Sequence, residues 1–101
     1  MKTIQIGSVC LEQTAALAPL ASVSDYAMRS LCREHGACYV VGEMVSAKGL
    51  YYQNKKTIDL LRVTPQEQPM ALQLFGVDPQ TMAYAARVAN EFHPQIGRAH
   101  V

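Results

Sequence analysis

Three short, mostly apolar runs set the terms for any fold of this chain: Ala15–Ala21, Cys38–Val41 and Met70–Phe75. None is long enough to be a buried helix, and each ends near Gly or Pro, which is how a strand buried on both faces reads. Such strands belong to parallel sheets, whose crossovers are helices. The residues between the runs supply those helices. Ser22 or Ser24 can cap the first one, and Asp25 suits its positive end. Met28, Leu31, Cys32 and His35 fall at i, i+3, i+4 and i+7 as one apolar stripe, and Gly36 is a left-handed stop.

Pro19 is expected at the end of the first strand, because it cannot donate to a ladder. The second strand is expected to end at Gly42-Glu43-Met44, and residues 45–56 read as a polar connection. A short helix around Ile58, Leu60 and Leu61 leads to a turn at Thr64-Pro65. After the third strand, Asp78-Pro79 pairs an N-cap acid with Pro at the first helical position. Met82, Ala85, Ala86 and Ala89 repeat the helical spacing towards Asn90 or Phe92. Ahead of all this, residues 4–11 alternate as a hairpin turning at Gly7-Ser8.

The order is therefore βαβαβα, an α/β class. Eight such units close a TIM (β/α)8 barrel of about 250 residues, and a doubly wound sheet is the rival. No G-x-G-x-x-G fingerprint follows any strand, and there is no P-loop. The strand ends carry small residues and single polar groups, which fits a flat ligand approached by backbone. With 101 residues the chain is one small domain or a piece of a larger one. Its 50% hydrophobic and 17% charged content excludes a disordered tail, and a net charge of +1 gives no polybasic footprint. No apolar run reaches the roughly 18 residues of a membrane span, and no signal peptide is read at the start. Cys10, Cys32 and Cys38 show no CxxC spacing and complete no zinc pattern with His35, His93 and His100, so reduced, mostly buried thiols and no metal are expected.

The segment Leu17-Ala18-Pro19-Leu20-Ala21-Ser22-Val23-Ser24-Asp25 resembles the L-A-P-M-A-G-V-T-D segment of bacterial tRNA-dihydrouridine synthases. Residues 29–37, 43–50, 54–57 and 72–79 match the same family in order and spacing. The resemblance covers about residues 4–95. It implies the N-terminal βα units of a truncated, aldolase-type, flavin-binding TIM barrel. It further implies a cytoplasmic, monomeric oxidoreductase that binds FMN, takes electrons from NADPH and reduces uridine to 5,6-dihydrouridine in tRNA. By position, Pro19, Leu20 and Ala21 match the first-strand segment whose backbone lines the flavin, and Gln73 matches the Gln that bonds the flavin ring. Gln offers two donors and an acceptor to the ring edge. Ser22 stands beside that site, and Glu43 reads either as orienting it from the second strand or as a solvated loop carboxylate.

Lys55, Lys56 and Arg62 read as a solvated basic face, with tRNA phosphate contact as the alternative. Tyr51 and Tyr52 read as packing residues, with base stacking as the alternative. Leu20 stands where the family has Met, and Ser22 where it has Gly, so a Cβ enters at a position where glycine would permit positive φ or close approach. None of the three cysteines matches the family's catalytic cysteine, which follows the fourth strand. That residue is expected beyond this chain, so no catalytic residue is assigned and the fragment is expected to be inactive alone. Domain 1–96 is read as barrel. Residues 97–101, within Ile96-Gly97-Arg98-Ala99-His100-Val101, match one reading frame of a sequencing adapter and are read as a non-native tail. The alternative function is a standalone small α/β module that binds a ligand or partner without catalysis. A different flavin barrel oxidoreductase is a third reading, against which the Glu43–Lys48 segment argues.

Overall fold

The computed structural model describes residues 2–100. A hairpin opens the chain: β1 (Thr3–Ile6) pairs antiparallel with β2 (Val9–Glu12), Ile6 facing Val9. Gly7 takes φ +60 in the two-residue turn, where a side chain would be strained.

A four-stranded sheet follows in the order β3 (Ala16–Leu17), β4 (Tyr39–Ser46), β5 (Met70–Phe75), β6 (Ile96–His100), every neighbouring pair parallel. The crossovers carry α1 (Tyr26–Glu34), α2 (Ala47–Tyr51), α3 (Lys55–Asp59), a 3-10 turn at Pro65–Glu67, and α4 (Pro79–Asn90). Strand order follows chain order, without the reversal a doubly wound sheet makes. The core lies between the sheet and α2 and α4, built from Val40, Val45, Leu50, Leu61, Met70, Leu72, Leu74, Ala85 and Ala89. Residues 70–74 of β5 are all buried, which is why its sequence does not alternate.

Several expectations hold. The hairpin turn, β5 and α4 fall where the sequence placed them; Asp78 caps α4, its Oδ2 accepting from the Thr81 N–H at 3.0 Å. Gly36 stands at φ +102 just past α1.

Others need correction. β3 is two residues long and lies at the sheet edge, with Ala16 exposed and Leu17 half-buried; it has a partner on one side only. The cap of α1 is Asp25, whose Oδ1 accepts from the Met28 N–H at 2.9 Å. Neither serine is free for that task, because Ser22 stands at φ +63 and Ser24 bonds back to Leu20. The apolar stripe of α1 is not its buried face: Leu31 is 51% exposed, His35 is exposed, and Cys32 alone of the four packs on the core. Arg29 turns inward instead, because Glu67 waits there as a fully buried partner.

β4 does not stop at Gly42-Glu43-Met44. A bulge absorbs them: Val41 pairs with Ala71 and Met44 with Gln73, so Gly42 and Glu43 together oppose Leu72 and the strand runs on to Ser46. A Cβ on Gly42 would lie 3.0 Å from Met70 Cε, a close approach that only a shift of the methionine's flexible end would relieve. The expected polar connection is mostly helical, since Ser46 caps α2 and Asn54 caps α3 by accepting from the Gly49 and Thr57 N–H groups. Cys10 is exposed and Cys32 and Cys38 are half-buried, all free, so the thiols are less buried than their type suggests. Residues 97–100, read from the sequence as part of a non-native tail, lie in β6, which leaves that reading as it stands, and Val101 lies outside the described residues.

Candidate functional site

The carboxyl ends of β3, β4 and β5 gather the residues singled out from the sequence. The chain leaves β3 through Ala18-Pro19 into a tight turn, in which the Val23 and Ser24 N–H groups both donate to the Leu20 carbonyl, at 3.0 and 2.8 Å. Ser24 Oγ accepts from the Leu20 N–H at 2.9 Å and donates to the Leu20 carbonyl at 3.0 Å. Pro19 is half-buried, while Leu20 and Ala21 are exposed.

Two further anchors hold this turn. The Ser22 N–H donates to Glu43 Oε1 at 2.6 Å, tying the turn to β4. Arg29 donates from a terminal guanidinium nitrogen to the Ser24 carbonyl at 2.6 Å, and from Nε to Glu67 Oε1 at 2.5 Å. Glu67 Oε2 then accepts from the Thr64 N–H and Oγ1, at 2.9 and 3.1 Å. A buried charge pair without such extra bonds is costly; here Arg29 also bonds the Ser24 carbonyl and both Glu67 carboxylate oxygens accept hydrogen bonds. Nothing local marks this pair in the sequence, because an Arg on a helix and a Glu in a loop both read as surface residues.

Gln73 sits one strand further in, level with Met44 of β4 and Arg98 of β6. Leu72 and Leu74 face the helical layer, so Gln73 lies on the opposite sheet face by strand alternation. It is 3% exposed, and its Oε1 has no hydrogen-bond partner among the described residues. A buried amide oxygen left unpaired costs about 1–3 kcal/mol. The group fits a ligand that brings a donor to this face.

Thus Pro19, Leu20, Ala21, Ser22 and Glu43 share one region, with Gln73 on the strand beside that of Glu43. Lys55 and Lys56 do not join it: both stand exposed on α3, and no hydrogen bond among the described residues links them to it. Arg62 lies 3.8 Å from Asp59 on the surface. Among the described residues no cluster of His, Cys, Asp and Glu is suited to hold a metal ion, and no helix is long and apolar enough to cross a membrane.

Next to this region lies a cleft of about 600 Å³ between the ends of β4 and β5 and the start of α4. Ser46, Lys48, Tyr51, Tyr52, Phe75 and Val77 are among the residues lining it. Reading Tyr51 and Tyr52 as packing residues fails for Tyr52, which is 71% exposed.

Comparison with known sequences agrees on one family. Residues 16–96 match the family model described as dihydrouridine synthase. The chain is 35% identical over 96 residues to tRNA-dihydrouridine synthase B of Pseudomonas syringae pv. tomato, covering 95% of this chain and 28% of that protein. It is 37% identical over 97 residues to the protein of the same name from Pseudomonas putida, again over 95% and 28% of the two chains. A probable tRNA-dihydrouridine synthase of Mycobacterium tuberculosis is 36% identical over 92 residues, 84% of this chain and 24% of that one. The chain therefore spans little more than a quarter of the length of the curated relatives it matches.

Proposed function

The chain belongs to the dihydrouridine synthase family, and from that premise we propose that it is the N-terminal part of a flavin-dependent tRNA-dihydrouridine synthase. The consecutive parallel strands and their helical crossovers support a (β/α)8 barrel as the complete domain. The relatives' names support tRNA as the substrate; that the complete protein acts as a cytoplasmic monomer is part of the proposal and rests on the resemblance alone.

The observation that carries the cofactor reading is the unpaired Oε1 of Gln73. It is buried, it lies on the face away from the helices, and it lacks the donor that a flavin ring edge offers. The Pro19–Ala21 backbone would line the same ligand, and Glu43 holds that backbone through Ser22. FMN, when bound, supplies the hydride that reduces the uracil double bond, with NADPH as the electron source. The residues here bind and orient. The group that protonates the reduced base is expected after the fourth strand, outside this chain. Lys55 and Lys56 are available for phosphate contact from α3.

We also read residues 97–101 as translated adapter DNA; the family match ending at Ile96 supports this, and sequencing the genomic locus past Gln95 tests it. A continuing frame with an Asn-Met-Gly-Cys-Pro segment is expected there.

The activity test is direct. The complete gene product should purify with flavin absorbance and form dihydrouridine in unmodified tRNA when given NADPH. A flavin-free protein, or one that leaves uridine intact, would overturn the proposal.

A further inference from the structure

We propose that the cleft at the ends of β4 and β5 is a subsite for one nucleotide of single-stranded RNA, its base stacked on Tyr52 and its phosphate at Lys48. This rests on the reading of tRNA as substrate and adds to it a specific place of contact.

The local geometry begins with spacing. Lys48 and Tyr52 are four residues apart, and the Tyr52 N–H donates to the Lys48 carbonyl at 3.0 Å, so the two stand on one face of a helical turn. Both line the cleft, whose volume of about 600 Å³ suits a nucleotide-sized ligand. Tyr51 is held edge-on between Tyr52 and Tyr84, with ring centroids 5.4 and 5.5 Å away at 88° and 74°. That arrangement ties the tyrosine pair to α4. Tyr52, at 71% exposure, is the member left open to a ligand.

The chemistry favours RNA. A tyrosine ring in water is an unused stacking surface, and splayed bases of single-stranded RNA stack on such rings. Phe75 and Val77 extend the apolar lining, and Val77 is 88% exposed. Lys48 is exposed and makes no ion pair among the described residues, so its ammonium is free for a phosphate. The carboxylate in the cleft, Asp78, is committed to capping α4. The cleft opens at the carboxyl ends of parallel strands, the side on which α/β sheets take ligands.

The complete flavin-loaded protein tests this with two probes, an unmodified tRNA transcript and a ten-residue oligouridylate. Tyr52→Ala should raise the KM for tRNA and the Kd for oligouridylate about 5- to 50-fold, with kcat within about twofold. Tyr52→Phe should restore both. Tyr52→Leu, which keeps bulk without a ring, should behave as Tyr52→Ala and serves if the alanine variant fails to fold. Lys48→Gln should reduce the slope of log Kd against log salt by about 0.7. Ring-free variants that bind both probes as tightly as the wild type would overturn the subsite. If the wild type binds oligouridylate through Tyr52 yet never reduces tRNA, the subsite stands and the proposed enzymatic function falls.

Discussion

The backbone N–H of Ser22 donates to Glu43 Oε1 at 2.6 Å, so a carboxylate on a bulged strand holds a residue that stands at φ +63. The two are twenty-one residues apart, and the bond crosses from the turn after β3 to β4. Left-handed backbone costs a residue with a Cβ about 1–2 kcal/mol. The bulge at Gly42-Glu43 shifts the register at the carboxylate's position, and the carboxylate in turn fixes the turn that carries Pro19, Leu20 and Ala21.

Replacing Ser22 by Gly should stabilise the complete protein by about 0.5–1 kcal/mol, since glycine takes positive φ without strain. Flavin affinity should hold or rise. Urea unfolding and flavin titration check both. A clear loss in either would show that the Ser22 hydroxyl has a task of its own.

Glu43→Ala removes the acceptor and should cost about 1 kcal/mol, the usual net worth of a hydrogen bond on a partly exposed group. Because the bond positions a turn rather than filling a core, flavin release should speed up by more than the melting temperature falls. Glu43→Gln keeps an acceptor oxygen and should sit between the two. Unchanged flavin kinetics in the alanine variant would separate Glu43 from the cofactor.

The Arg29–Glu67 pair gives a larger effect. Removing either partner leaves a buried charge without its mate, and about 3–5 kcal/mol of stability should be lost in Glu67→Ala or Arg29→Met. The double variant should be destabilised by less than the sum of the two, by 0.5–3 kcal/mol. Strict additivity in a thermal or urea double-mutant cycle would mean that the pair contributes no coupling.

How far the sequence could be read is clearest at these residues. Local signals were legible because they depend on neighbours a few positions away: Gly7 and Gly36 at positive φ, Asp78-Pro79 opening α4, and the apolar run of β5. The candidate ligand turn was singled out only through resemblance, and the bond from the Ser22 N–H to Glu43 that anchors it links residues too far apart in sequence for any local pattern to show. What failed depended on distant partners. Arg29 faces inward only because Glu67, thirty-eight residues on, meets it. Gly42-Glu43 looked like a strand end because a bulge and a turn use the same residue types. Tyr52 was read as packed because tyrosines usually are, and nothing local reveals that the core goes on without it.

Gln73 should show opposite signs for stability and binding. Gln73→Leu removes a buried oxygen that has no partner, so the flavin-free protein should gain about 1–2 kcal/mol. The same change should weaken flavin binding by about 1–3 kcal/mol through the lost ring contact. Thermal melts with and without added FMN measure both. A variant that binds flavin like the wild type would remove Gln73 from the site.

The last prediction concerns residues 1–101 expressed alone. The sheet ends at β3 and β6, and each edge strand has a backbone ladder satisfied on one side only, which invites pairing with other chains. Apolar side chains stay open to water along the turn and α1, among them Leu20, Val23, Tyr26, Met28 and Leu31. A chain this short buries roughly 60–65% of its unfolded surface even when compact, which leaves little margin. In barrels of this type the phosphate cradle comes from the loops after strands 7 and 8, so an isolated N-terminal segment has no purchase on FMN. The purified chain should therefore be colourless, should self-associate during gel filtration, and should form no dihydrouridine in tRNA. A yellow, monodisperse monomer with a cooperative melt would contradict all three points and would favour a self-sufficient α/β binding module.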